Sequence, residues 1–196
     1  MKISIIDYKM GNIKSVYNAL KFLKSDPVIV DKPSKLTGDK IVIPGVGAFG
    51  KASHNLEPFR SKIRESLNSA IPLLGICLGL QILLEESEES STEEGLGIIK
   101  GKVQRMKTDL RVPHIGWNNL KIRKKACPLF KDVTRGYVYF VHSYEAVPEE
   151  DVTAATTHYG HEICAGVWKE NIFGTQFHPE KSGEVGLKIL KNFVEL

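Results

Sequence analysis

Apolar positions in this chain change their rhythm halfway along it. In the first half, short apolar runs bare of charge in their interiors, at residues 2–7, 28–30, 41–43 and 72–76, read as strands. Between the first two, Ile13, Val16, Tyr17, Leu20 and Leu23 fall on one face of a helix over 11–24. Leu56, Phe59, Ile63 and Leu67 do the same for a helix over 52–68, with Pro58 near its start. A third helix is predicted over 78–88, entered directly from the strand before it. Strands apolar on both sides are covered on both faces, so this half predicts a mostly parallel sheet flanked by helices.

In the second half, strand-like runs at 98–106, 118–123, 137–142, 152–158, 163–168 and 172–177 follow one another with turns between them. Tyr159-Gly160 suits a hairpin, and a last helix is predicted over 184–194. The expectation is one α/β domain over 1–196, with an antiparallel portion in its second half and no repeat or linker.

Composition narrows the class. With 42% hydrophobic and 26% charged residues, 196 residues suit a single globular unit. The net charge of +4 is modest, and the cluster Arg123-Lys124-Lys125 is too short for a nucleic-acid stripe. The longest apolar stretch, 71–84, is interrupted by Pro72, Gly75, Gly79 and Gln81 and falls short of the ~20 residues of a membrane span. Asp7 arrives too early for a secretory signal. Cys77, Cys127 and Cys164 are odd in number and widely spaced, which fits a reducing cytosol rather than a disulfide framework. These features predict a soluble cytoplasmic protein without membrane or nucleic-acid partners. Glu85, Glu86, Glu88, Glu89, Glu93 and Glu94 read mainly as a solvated helix end and loop.

Chemistry enters at Gly75-Ile76-Cys77-Leu78-Gly79, an apolar strand passing into a helix through Gly-x-Cys-x-Gly. This is the pattern of a nucleophile elbow with a thiol as nucleophile. So tight a turn leaves no room beside the nucleophile, hence the two glycines. The following helix would aim N–H groups and its dipole at the sulfur, favouring thiolate, and the Leu78 amide is a natural oxyanion donor. A buried, inert cysteine between two close-packing glycines is the plain alternative.

Far downstream stands Gln176-Phe177-His178-Pro179-Glu180-Lys181-Ser182. Pro179 keeps His178 out of helical backbone. In extended chain, residues i and i+2 point the same way, so Glu180 would accept from His178 Nδ1 and leave Nε2 to take a proton from a thiol. A surface His-Pro turn is the alternative, but each motif supplies what the other lacks, and both sit at strand ends.

Pro44-Gly45-Val46-Gly47-Ala48-Phe49-Gly50-Lys51-Ala52 mimics two phosphate-binding loops. Ala52 lacks the hydroxyl a P-loop needs, and no acidic residue ends the next strand as dinucleotide binding requires. What remains is a glycine-rich loop near the elbow, whose Val46 or Gly47 amide could complete an oxyanion hole, or which needs glycine for turn geometry alone. His158, His161 and Cys164 have metal-like spacing but straddle a hairpin, so no metal site is expected. His142 reads as a satisfied structural histidine, and Trp117, on physical grounds alone, as core.

Taken together, the Gly-Ile-Cys-Leu-Gly-Leu-Gln and Gln-Phe-His-Pro-Glu segments, about a hundred residues apart, and the upstream Pro-Gly-Val-Gly make the chain resemble the class I, triad-type glutamine amidotransferases. The resemblance covers nearly the whole sequence and implies their flavodoxin-like α/β fold. Members usually carry histidine before the elbow glutamine; here Leu80 stands there. The stretches 7–13, 44–49, 113–118, 139–144 and 178–182 narrow the likeness to members that pass ammonia to a separate (β/α)₈-barrel cyclase subunit, and Leu80 agrees with that narrowing.

The resemblance implies catalysis by Cys77, His178 and Glu180 through a γ-glutamyl thioester. It implies an oxyanion hole from Leu78 with Val46 or Gly47, and glutamine contacts from Gln81, Glu89, Ser143 and Tyr144. It further implies no cofactor, a heterodimer with the cyclase, and a partner-facing role for Asn12, Trp117 and Lys181.

Overall fold

The computed structural model describes residues 1–134 and 136–196. In chain order the elements are β1 (Lys2–Ile6), α1 (Ile13–Phe22), β2 (Asp26–Val30), β3 (Lys40–Ile43), α2 (Phe49–Leu56), α3 (Arg60–Asn68), β4 (Leu73–Ile76) and the single turn α4 (Leu78–Gln81). They continue with β5 (Glu86–Ser87), β6 (Gly101–Arg105), β7 (His114–Asn119), β8 (Lys121–Ile122), β9 (Tyr137–His142), β10 (Tyr144–Pro148), β11 (Thr153–Tyr159), β12 (His161–Lys169), β13 (Ile172–Thr175) and α5 (Gly183–Val194).

The central sheet has the order β2-β1-β3-β4-β13-β12-β11-β8. Its first five strands are parallel, and β12, β11 and β8 extend it antiparallel. Alternation along the buried strands sorts the core into two layers. Ile3, Ile5, Val42, Leu74, Ile76 and Phe173 face the layer of α1 and α5, where Leu20, Ile189 and Phe193 meet them. Ile41, Ile43, Leu73 and Ile172 face the layer of α2 and α3 with Leu56, Phe59 and Ile63. Two small sheets, β10-β6-β5 and β7-β9, stand beside it. The Tyr159-Gly160 hairpin joins β11 to β12, with Gly160 at φ +77.

Three expected elements are redrawn. The helix over 52–68 is two, α2 and α3, separated by a 3₁₀ turn at Glu57–Phe59. Pro58 lies in that turn, where it has no N–H to give and its ring opposes the preceding carbonyl. The helix over 78–88 stops at Gln81. The carbonyls that would continue it are taken by a crossing segment: Leu96 donates to Ile82 O at 2.7 Å, Ile98 to Leu83 O at 2.9 Å and Gly97 to Leu84 O at 3.1 Å. That approach needs Gly95, where a Cβ would lie 2.0 Å from Leu84 O. The strand over 118–123 is split, Asn118 and Asn119 ending β7 and Lys121–Ile122 joining the central sheet through β11.

Most of the acidic run is solvated as expected, with Glu85, Glu86, Glu88 and Glu94 exposed, yet three of its carboxylates bind backbone amides. Glu85 Oε2 accepts from the Gly101 amide at 2.9 Å, Glu88 Oε2 from Arg105 at 3.0 Å and Glu89 Oε2 from Phe49 at 2.7 Å.

Candidate active site

Three neighbouring parallel strands, β3, β4 and β13, end at one edge of the sheet. Strands lie ~4.8 Å apart, so what leaves their C-terminal ends is brought together. β3 delivers the loop 44–47, β4 delivers Cys77, and β13 delivers Gln176-Phe177-His178.

Cys77 has φ +54 and ψ −107, a conformation that non-glycine residues avoid and that must be imposed by the surroundings. Its N–H is held by Thr175 O at 2.7 Å, and its carbonyl accepts from Leu80 and Gln81 at 3.0 and 3.2 Å. The flanking glycines are sterically required. A Cβ on Gly79 would meet Ile43 O at 1.9 Å, and one on Gly75 would meet Gly79 O at 2.5 Å. With α4 only one turn long, the dipole contribution expected at the sulfur is small; local N–H groups carry what remains of it.

His178 is pinned by its backbone: its N–H donates to Tyr139 O at 2.9 Å, and its carbonyl accepts from Ser182 Oγ at 2.6 Å. Ser182 Oγ also accepts from Tyr139 N–H at 3.0 Å, latching β9 to this segment. Nδ1 lies 2.8 Å from Glu180 Oε1, with both side chains almost wholly buried. The pairing is reached differently from the extended i, i+2 geometry expected. Residues Pro179–Lys181 form a 3₁₀ turn, and the Glu180 carboxylate reaches Nδ1 from within it.

His178 Nε2 is buried without a well-formed hydrogen bond and faces the Cys77 thiol. Burial works against the imidazolium, but the contacts with Cys77 and then Glu180 outweigh it and raise His178 to about 9.

Among the candidate oxyanion donors, Leu78 opens α4 and so has no intrahelical acceptor for its amide. Val46 is excluded in this conformation, because its N–H already donates to Met10 O at 3.0 Å. Gly47, at φ +106, has no such bond among the described residues. The loop is further tied down by Tyr8 Oη, which donates to Pro44 O at 2.7 Å. Burial, and then Cys77, push the Tyr8 hydroxyl far above its ordinary range, so it stays protonated.

Cys77, Leu78, Val46, Gly47 and His178 line one side of a cavity of about 340 Å³, at the small end of small-molecule sites. Gln81, Glu89, Ser143 and Tyr144 line the same cavity. Gln81 Nε2 donates to Tyr144 O at 2.9 Å and to Gln176 Oε1 at 3.2 Å. Gln176 in turn places Nε2 3.8 Å from Cys77 Sγ. Sequence reasoning misses Gln176, although it stands two residues before His178. His142, a structural histidine by its sequence, also lines the cavity.

Trp117 is 55% exposed rather than core. Its ring meets that of Tyr139 edge-on at 6.1 Å, and Lys181 Nζ lies 5.9 Å from the Tyr139 ring centre. Asn12 precedes α1, which packs beside the 179–181 turn. His158, His161 and Cys164 do not converge: His161 Nε2 meets buried Glu145 at 2.9 Å, while Cys164 lies against Thr153 Oγ1 and Gly166 O, each at 3.7 Å.

The family profile described as glutamine amidotransferase class-I matches residues 4–196. The chain belongs to the class-I glutamine amidotransferase family. Its relatives include close, full-length ones. One from Methanocaldococcus jannaschii, named imidazole glycerol phosphate synthase subunit HisH, is 50% identical, with 99% of each chain covered. One of the same name from Pyrococcus furiosus is 51% identical over 100% of this chain and 99% of its own. A third, from Geobacillus, is 46% identical over 99% and 96%.

Solved structures share the fold at lower identity. The Thermotoga maritima PurLQS structure aligns with TM-score 0.79 at 20% identity, over 99% of this chain and 97% of that one. A glutamine amidotransferase, also from Thermotoga maritima, aligns with TM-score 0.68 at 19% identity, over 100% and 81%. In this amidotransferase, then, the α/β fold with a mostly parallel sheet and antiparallel extension agrees with both the sequence expectation and the family.

Proposed function

We propose that this chain is the glutaminase subunit of an imidazole glycerol phosphate synthase, hydrolysing glutamine to glutamate and ammonia. The full-length relatives near 50% identity carry that subunit name. What supports the chemistry is that Cys77, on its strained elbow, and His178 line the same cavity, while Glu180 holds the His178 Nδ1 from behind.

The residues act in sequence. His178 Nε2 takes the Cys77 proton, and the thiolate attacks the side-chain amide carbon of glutamine. The Leu78 and Gly47 amides hold the oxyanion. His178 returns its proton to the departing nitrogen, and ammonia leaves a γ-glutamyl thioester. Water, giving a proton to His178, attacks the thioester through a second oxyanion. Glutamate departs and the proton returns to sulfur. Glu180 fixes the ring tautomer and favours the imidazolium formed in each step. Gln81 and Glu89, with the backbone of Ser143 and Tyr144, hold the amino-acid end of the substrate.

Ammonia released into water at neutral pH is mostly protonated and no longer nucleophilic. The chain therefore works within a complex, delivering ammonia along an enclosed path to a (β/α)₈-barrel cyclase that forms imidazole glycerol phosphate and AICAR in histidine biosynthesis. Asn12, Trp117 and Lys181 face that partner in a heterodimer. The chain acts as one domain over 1–196 in the cytoplasm; no helix among the described residues is long and apolar enough to cross a membrane.

The test is glutamine hydrolysis with and without the cyclase. Turnover rises with the partner and vanishes in Cys77→Ala; stimulated turnover that survives that substitution refutes the assignment.

A further inference from the structure

From His142 in the cavity wall to His114 behind it runs a continuous chain of hydrogen bonds that the reaction itself does not use. His142 Nδ1 lies 2.8 Å from Tyr144 O, and its Nε2 lies 3.2 Å from His114 Nδ1. His114 Nε2 lies 3.4 Å from Asn118 Nδ2, which also donates to His158 O at 2.9 Å. Asn118 Oδ1 accepts from the Asn119 amide at 2.9 Å, so the side-chain amide has one orientation.

The direction of every bond follows from its two ends. Tyr144 O can only accept, so His142 carries its proton on Nδ1. His142 is buried, and burial lowers it to about 4, so it is neutral and Nε2 holds a lone pair. That lone pair needs the His114 Nδ1–H. His114 is likewise lowered to about 4 by burial, its ring stacked between Phe140 and Tyr159 at 4.7 and 4.0 Å. Its Nε2 then accepts from Asn118. No proton in the chain has a second place to go.

The far end matters for the pocket. Tyr144 O has two acceptor sites; one takes His142 Nδ1–H and the other a hydrogen of Gln81 Nε2. The second hydrogen of Gln81 goes to Gln176 Oε1. Gln81 is left offering its carbonyl oxygen, an acceptor, in a cavity that also holds the Glu89 carboxylate. Acceptors there suit the ammonium of an amino-acid substrate. A His142 ring with its proton on Nε2 would set a lone pair against Tyr144 O and release that anchor.

We propose that His142 and His114 are positioning residues for glutamine binding, a one-way hydrogen-bond relay from Asn118 to the Tyr144 carbonyl that fixes the polarity Gln81 shows to the substrate. The proposal rests on the glutaminase reading of the pocket, and two measurements separate their failures. The first uses no substrate: ¹⁵N–¹H spectra of the imidazoles at pH 7. Both rings are expected as neutral Nδ1–H tautomers, the form less favoured in free histidine. An Nε2–H tautomer or a charged ring at either position overturns the relay.

The second is steady-state glutamine hydrolysis by the complex with the cyclase. His142→Leu is expected to raise KM for glutamine about tenfold with kcat within about threefold. His142→Asn, whose amide can still donate from the δ position, is expected to recover most of that loss. Equal KM values for the two variants overturn the proposal. A wild-type complex with no glutamine turnover overturns the glutaminase reading instead, leaving the tautomer result standing.

Discussion

The Val46 amide donates to the Met10 carbonyl 3.0 Å away, so it is not free to meet a charge developing beside Cys77. The adjacent amide, Gly47, is the one we propose to take that role with Leu78. Gly47 stands at φ +106, and a Cβ there would meet Met10 Cε at 3.0 Å. Gly47→Ala therefore strains the loop and shifts the donor. We expect kcat to fall by about 10²-fold, the scale of losing one oxyanion donor, with KM little changed. A kcat within twofold of wild type in the partner-stimulated assay would remove Gly47 from the oxyanion hole.

Glu180→Gln keeps the size of the side chain but offers an amide to His178 Nδ1, 2.8 Å away. A carboxamide that turns its NH₂ to the ring would favour the tautomer with Nε2 protonated, which cannot accept the thiol proton. Turnover is expected to fall by about 10²- to 10⁴-fold. Activity within a few-fold of wild type would show that Glu180 is not needed to orient the ring.

The histidines make stability depend on pH in two windows. His178 is raised in the folded state to about 9, so its contribution is complete below the unfolded value of 6.5 and is lost as pH climbs through 9. His142 and His114 are lowered to about 4, so their contribution is complete above 6.5 and is lost as pH falls toward 4. Melting temperature followed from pH 4 to 10 should fall on both flanks. Glu180→Gln should make the alkaline flank shallower, with the Cys77 contribution remaining, and leave the acidic one. An unchanged alkaline flank in that variant would mean that Glu180 contributes nothing to it.

At the elbow, Gly79→Ala places a methyl group 1.9 Å from Ile43 O, a backbone atom of the central sheet that cannot step aside. Destabilisation of about 3 kcal/mol or more is expected in chemical denaturation, with loss of turnover alongside it. Wild-type stability in this variant would contradict the packing of β3 against the elbow.

Much of this arrangement is legible in the sequence because its signals are local. The buried strands declare themselves by charge-free runs, and the Gly-x-Cys-x-Gly turn by its steric demands. Pairing His178 with Glu180 is also readable, though it is made through a 3₁₀ turn whose geometry depends on Ser182 bonding back to His178 O. What cannot be read comes from distant segments. The short α4 is cut off by residues 96–99, which occupy its carbonyls, and no periodicity within 78–88 reports that competition. Nor does the acidic run show which backbone amides Glu85, Glu88 and Glu89 will accept from, because those amides arrive from elsewhere in the chain. His142 hides its role for the same reason: its partner His114 is 28 residues away, on the other strand of the β7-β9 pair.

The place of β13 between β4 and β12 has a consequence for how the chain is made. On the ribosome, β4 emerges about a hundred residues before the strand that will lie against it. Until then one side of β4 has no backbone partner, and the thiol at its tip has no base. The newborn chain thus carries an open sheet edge through about half of its synthesis. Its reactive centre is assembled only when the last strand slides into the gap, so a truncated product is both sticky and inert.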